Sequence, residues 1–189
     1  MNSHVLTVTM FLAFCVGILS IYLEKRKRNH EIWMKYIDDF EHQIKWLKHS
    51  SDFAGGIPAK SREDYSFVIL NEVFKTTKHL IGSTKDKLLS CLKLDPELVK
   101  RNVKEKYQYE DNGTLINPYE KIEYEVTAFC ERYKDVDVIE FASDPASVKA
   151  IDHLENTHDF LSHYFADETL NATWLSNLVA FLSSLVPNK

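Results

Sequence analysis

The sequence predicts a mainly α protein: a single N-terminal transmembrane helix followed by a cytoplasmic α-helical domain of about six helices. Three observations carry that expectation. Val5–Leu23 is an uncharged, predominantly apolar run. Lys25, Arg26, Lys27 and Arg28 come after it almost at once. Downstream, apolar residues recur at three- and four-residue spacing, the period of a helix with one buried face, and Pro, Gly, Asn and Asp stand where such helices start and stop.

At ~1.5 Å per residue, Val5–Leu23 spans roughly 28 Å, close to one bilayer hydrocarbon core. Its hydroxyls (Thr7, Thr9, Ser20) can bond back to carbonyls of the preceding turn, so they are tolerable in lipid. A cleavable leader would need a basic start and a small-residue cleavage site; Met1–His4 has no Lys or Arg, and the apolar run meets Glu24 and the basic tetrad instead. The span is therefore expected to stay. Basic residues remain on the cytoplasmic side, which places residues 1–4 outside and 24–189 in the cytoplasm, at an inner or plasma membrane. Lys25, Arg26, Lys27 and Arg28 are the expected contact with anionic lipid, at about 1 kcal/mol for each basic residue near the surface. Thr9, Ala13 and Gly17 form a small-residue stripe at i, i+4, i+8, the pattern that lets two membrane helices approach, and so mark a candidate homodimer contact.

Charge separates the anchor from the remainder of the chain. Of 23 Lys and Arg, 19 lie beyond the tetrad; of 28 Asp and Glu, 27 do, leaving a balance of −8. Phosphate-backbone binding needs a basic face, so nucleic acid is not an expected partner. Three widely spaced cysteines, Cys15, Cys91 and Cys130, suit a reducing compartment.

Residues 24–49 read as a juxtamembrane stem helix. Trp33, Ile37, Phe40, Ile44 and Leu47 fall at 4, 3, 4, 3 spacing, a heptad-like seam. Two copies could pair along it, but barely two heptads are present, and the favoured expectation is that it packs on its own domain. Gly17 and Trp33 are 16 residues apart, about 160° out of phase at ~100° per residue, so the stripe and the seam do not make one dimer face. Residues 50–60, with Gly55, Gly56 and Pro58, read as a loop or hinge, and 61–189 as the α-helical domain.

Within that domain Ser61 and Asp64 suggest a helix start. The helix is expected to run to Ile81 with Tyr65, Val68, Ile69, Val73, Phe74, Leu80 and Ile81 inward, and to stop at Gly82. A short helix over 84–93 comes next, then one opened by Asp95-Pro96 over 96–107. Asn117-Pro118 opens a helix to 133, with Tyr119, Ile122, Val126, Phe129, Cys130 and Tyr133 on one face. Asp135–Ala142 is expected to be helical or irregular, since a lone strand has no partner. Asp144-Pro145 opens a helix to 165, with Val148, Ile151, Leu154, His158, Leu161 and Phe165 inward. A last helix covers 169–185.

Chemistry is sparse. No nucleophile-elbow, metalloprotease, Walker or paired-cysteine motif occurs, and no cofactor is expected. His153, His158 and His163 recur every five residues and point apart on a helix. Glu155, Asp159 and His163 do share one stripe, the only candidate metal ligands, but a solvated polar face is the favoured explanation and no metal is expected. The expected function is that of a membrane-tethered interaction or regulatory module with a protein partner. The alternative is a membrane-anchored enzyme or toxin-like effector with a site between helices 118–133 and 145–165.

Overall fold

The computed structural model describes residues 2–58, 61–94 and 117–166, and among them five helices and no strand. These are α1 (Asn2–Ala54), α2 (Tyr65–Leu94), α3 (Pro118–Arg132), α4 (Val138–Ser143) and α5 (Pro145–Ala166). The side chains of Met1–Thr9 and Arg26 lie outside the described residues, as do the expected helices over 96–107 and 169–185.

α1 is one uninterrupted helix of 53 residues, about 80 Å long at ~1.5 Å per residue. No proline lies within it, and Gly17 is its one glycine, so nothing in the sequence breaks it between the apolar run and the stem. Among the described residues no helix is long and apolar enough to cross a membrane. α1 outlasts the expected stem by five residues. It ends at Gly55-Gly56, where Gly55 N–H donates to Ser51 O at 3.0 Å and Ile57 N–H to Ala54 O at 3.0 Å.

The second half of α1 belongs to the domain. Trp33, Ile37, Phe40, Ile44 and Leu47 are all buried in the core shared with α2–α5. The seam thus packs within its own chain. α2 returns antiparallel along α1: Gln43 Nε2 donates to Thr84 Oγ1 at 2.9 Å, and the Lys87 ammonium sits 5.7 Å from the Tyr36 ring centre. α3 runs antiparallel to α2, with Lys85 Nζ donating to Thr127 Oγ1 at 3.2 Å and Lys93 over Tyr119. α5 runs antiparallel to α3, with His153 Nδ1 3.6 Å from Glu125 Oε2 and Lys121 over Phe160. α5 closes the ring against α1, where Lys48 Nζ donates to Glu155 Oε1 at 2.9 Å. The result is an up-down-up-down four-helix bundle, with the apolar first half of α1 projecting from one end.

The other end is closed by α4. Asp137 caps it through Glu140 N–H at 2.8 Å. Phe141 then sits among Phe74, Phe129 and Tyr133, with ring centres 5.1, 6.2 and 4.7 Å away. The expected caps of α3 and α5 are present: Asn117 Oδ1 accepts from Tyr119 N–H at 3.0 Å, and Asp144 Oδ1 from Ala146 N–H at 2.9 Å. The expected Ser61–Asp64 box is replaced by Asp64 alone, whose Oδ1 accepts from Ser66 N–H at 3.0 Å.

Two expectations about α2 are corrected. The helix does not stop at Gly82. A Cβ there would lie 3.7 Å from Cys130 Sγ, an ordinary contact, and Gly82 adopts no left-handed backbone. A mid-helix glycine costs about 1 kcal/mol, which burial of Leu88, Leu89 and Leu92 in the next turns exceeds. The inward face is also rotated. Phe67, Phe74, Thr77, Lys78, Ile81 and Thr84 are buried, whereas Tyr65, Val68, Ile69, Val73 and Leu80 are exposed. In α5, likewise, Val148 is exposed and Phe160 buried, and Ser147 and Thr157 are buried with it.

Tyr133 ties α3 to the start of α5. Its hydroxyl donates to Asp144 Oδ2 at 3.0 Å. Burial, and then that hydrogen bond, push its pKa up from 10.0 to about 12. The folded state holds this proton more tightly, so the stabilisation is complete below pH 10 and is lost as pH rises from 10 through 12. At pH ~11 the loss should be about 1.4 kcal/mol. Urea titrations of the parent chain and Tyr133→Phe at pH ~8 and ~11 should isolate it. Cys91 and Cys130, whose thiols burial also raises, titrate in both proteins and cancel.

Candidate membrane-facing site

The site is built from the projecting half of α1. From Met10 to Tyr22 all but one of its large apolar side chains are exposed: Met10, Phe11, Leu12, Phe14, Val16, Ile18, Ile21 and Tyr22, with Ile21 at 70% and Leu19 half-buried. At ~100° per residue these positions occupy most of the helix circumference, so this is no amphipathic face waiting for one neighbour. A helix apolar nearly all round is ordinarily surrounded by apolar material. Here no other described part of the bundle covers it, and a Cβ at Gly17 would meet nothing within 4 Å. Ser20 Oγ donates to Val16 O at 2.9 Å, which satisfies that hydroxyl inside the helix.

The basic collar comes next on the same rod. Lys25, Lys27 and Arg28 are exposed, and Lys27 Nζ lies 3.8 Å from Glu31 Oε1, an exposed i, i+4 pair of small energetic weight. Arg26 continues the helix, with its side chain outside the described residues. Of the small-residue stripe, Ala13 and Gly17 are exposed on the rod, and the Thr9 side chain lies outside the described residues. Immediately beyond the collar, α1 and α2 enclose a groove of about 480 Å³ lined by Ile32, Trp33, Tyr36, Lys87, Ser90 and Cys91.

The members of the candidate metal-ligand stripe are each engaged separately. Glu155 Oε1 is taken by Lys48 Nζ at 2.9 Å, Asp159 Oδ1 by His158 Nδ1 at 3.2 Å, and His163 Nδ1 by the Asp159 carbonyl at 2.7 Å. Among the described residues no group of three or more His, Cys, Asp or Glu side chains is placed to hold a metal ion. The reason is local. Each of the three finds a partner along its own helix or on α1, and no second described element brings a further ligand. His158 is partly buried and shares its ring nitrogens with Asp159 and Ser162. Between α3 and α5, the seam of the enzyme alternative, the described histidine–carboxylate pair is His153 with Glu125.

One cluster escaped the sequence reading. Lys75, Lys78, His79 and Lys85 of α2, with Lys134 after α3, line a groove of about 530 Å³ between the two helices. Their spacing on α2 was itself a signal, since 75, 78/79, 82 and 85 share one helix face. Isolated from α3, that face reads as an ordinary solvated one. Lys78 is the buried member: its ammonium donates to Tyr133 O at 2.6 Å, Val136 O at 2.7 Å and Lys134 O at 3.3 Å. Burial lowers its pKa, against the opposing pull of Asp135 and Asp137.

Comparison with protein-family models, with curated proteins and with solved structures finds no match to this chain.

Proposed function

We propose that this chain is a single-pass membrane protein whose helical bundle works at the cytoplasmic surface as an interaction or regulatory module. The observation that carries this reading is the projecting half of α1, apolar nearly all round and uncovered by the described rest of the bundle. In water such a surface would be an aggregation site; in a bilayer it is solvated. In the sequence, residues 5–9 extend the uncharged run to a length suited to one hydrocarbon core. The basic collar supports an orientation with the N-terminus outside and a contact with anionic headgroups. Because α1 is continuous into the core, the rod would hold the bundle at a fixed attitude to the surface. The exposed apolar residues of α2, with Tyr65 at 77%, support protein contact as the role of the bundle. Pairing of two spans along Thr9, Ala13 and Gly17 is part of the same proposal, and Gly17→Leu should abolish span crosslinking if that stripe is the contact.

The topology has a direct check. A reporter active only in the cytoplasm should be active when fused after Lys189 and silent when fused before Met1. The opposite pattern at normal expression would overturn the orientation. Crosslinking in native membranes should then recover a protein partner, and loss of that partner on Tyr65→Glu with Ile69→Glu would place the contact on α2.

A further inference from the structure

We propose that the groove between α2 and α3 binds a soluble ligand carrying more than one phosphate group. Its lining holds Lys75, Lys78, His79, Lys85 and Lys134 with one carboxylate, Asp86, while Glu72 pairs with Lys75 and Asp135 and Asp137 act on Lys78 from nearby, on a domain whose overall balance is strongly acidic. A basic groove there is not the average surface of the molecule. Lys78 is not itself a ligand-binding group, since three carbonyls at the end of α3 take its protons. Its role is to cancel the negative end of the α3 dipole, which would otherwise repel an anion.

Of the other basic side chains in the lining, two meet a carboxylate and two meet none among the described residues. Lys134 and His79 are exposed and have no ion-pair partner among the described residues. Lys85 is largely covered: its ammonium meets the neutral Thr127 hydroxyl at 3.2 Å and the exposed Asp86 carboxylate at 3.5 Å. Lys75 is exposed and meets Glu72 at 3.1 Å along its own helix, a weak surface pair. From Lys75 to Lys85 the charges extend over about 15 Å of helix at ~1.5 Å per residue. A single compact anion would not use that length, whereas a chain of phosphates would. Lysine serves phosphate as a point charge without the planar fork that carboxylate favours. Between the charges, Gly82 and Cys130 leave an uncharged floor for the rest of the ligand.

The groove is far from the basic collar. Thr84 stands beside Gln43, 15 residues past Arg28 and so about 22 Å along α1, more than two Debye lengths of ~8–10 Å at physiological salt. Headgroups at the collar do not reach it, so the ligand is soluble. That placement relative to a bilayer rests on the membrane reading; the chemistry of the groove does not.

Inorganic pyrophosphate, titrated calorimetrically into the full chain in neutral detergent, tests the proposal. The expected result is saturable one-to-one binding with a Kd below about 1 mM. Lys134→Gln with His79→Gln, both exposed, should weaken it at least about tenfold, and Lys134→Gln alone should weaken it partially. Lys149→Gln, exposed on α5, should leave it within about twofold, as expected of a cation outside the groove. Absence of saturation by about 10 mM, equal loss in Lys149→Gln, or unchanged binding in the double variant would each overturn it. Displacement of pyrophosphate by anionic-lipid nanodiscs, lost in the double variant, would make the ligand a headgroup and overturn the soluble assignment. Failure of the membrane tests above with pyrophosphate binding intact would remove only the placement.

Discussion

Phe40→Ala should destabilise the bundle by about 3–5 kcal/mol, the range for deleting a buried aromatic side chain. Phe40 lies on α1, only 12 residues past Arg28, and is 1% exposed. If the segment behind the collar were only a stem, this change would scarcely be felt. The control lies on the same helix: Trp46 and Phe53 are 58% and 59% exposed, and their replacement by alanine should stay within about 0.5 kcal/mol. Denaturant unfolding in neutral detergent separates the cases. The midpoint should also be independent of protein concentration, because the seam is filled by α2–α5 of the same chain. A concentration-dependent midpoint in the parent chain that Phe40→Ala abolishes would instead put a second copy on the seam.

Lys78→Ala should cost about 2–4 kcal/mol, the scale for removing a buried charged donor from several acceptors. The ammonium is the bolt between α2 and the end of α3, donating to Tyr133 O, Lys134 O and Val136 O. It also lies 4.7 Å from the centre of the Phe74 ring, next to the aromatic group around Phe141. Lys78→Met distinguishes charge from stem. It keeps the aliphatic packing, so if the hydrogen bonds dominate it should retain most of the loss. Recovery of parent stability in Lys78→Met would show that the stem does the work. Amide exchange offers a local reading: protection should fall first around Tyr133–Val138, where the carbonyls are released, before it falls in the α1 seam.

What the sequence disclosed divides along physical lines. Helix starts were legible where a short polar residue precedes proline, as at Asn117-Pro118 and Asp144-Pro145, because that chemistry is local. The seam from Trp33 to Leu47 was legible because five large apolar residues at strict spacing leave few alternatives. The face of α2 was not. It carries apolar residues on more than one side, and periodicity alone does not say which side meets a partner. Phe67, Phe74 and Ile81 are buried while Tyr65, Ile69 and Val73 are not, because α1 and α3 approach from the side that also carries Thr77 and Lys78. A lysine was placed inside by carbonyls more than fifty residues away in sequence, which no local pattern contains. Gly82 gave a stop signal because stop signals are also local, whereas the turns beyond it are held by tertiary contacts. The polar stripe of Glu155, Asp159 and His163 was real as a stripe, but its members are engaged separately. The basic groove needed α3 beside α2 before its charges could be recognised as a site.

If the first half of α1 is solvated by lipid, Cys15 within it is shielded from water. With Cys91→Ala and Cys130→Ala it becomes the sole thiol, exposed on the isolated chain. The full chain, reconstituted into sealed vesicles with a membrane-impermeant maleimide on both faces, should leave Cys15 unlabelled until SDS is added. Labelling before SDS, at the rate of a free thiol in water, would contradict a lipid-solvated span.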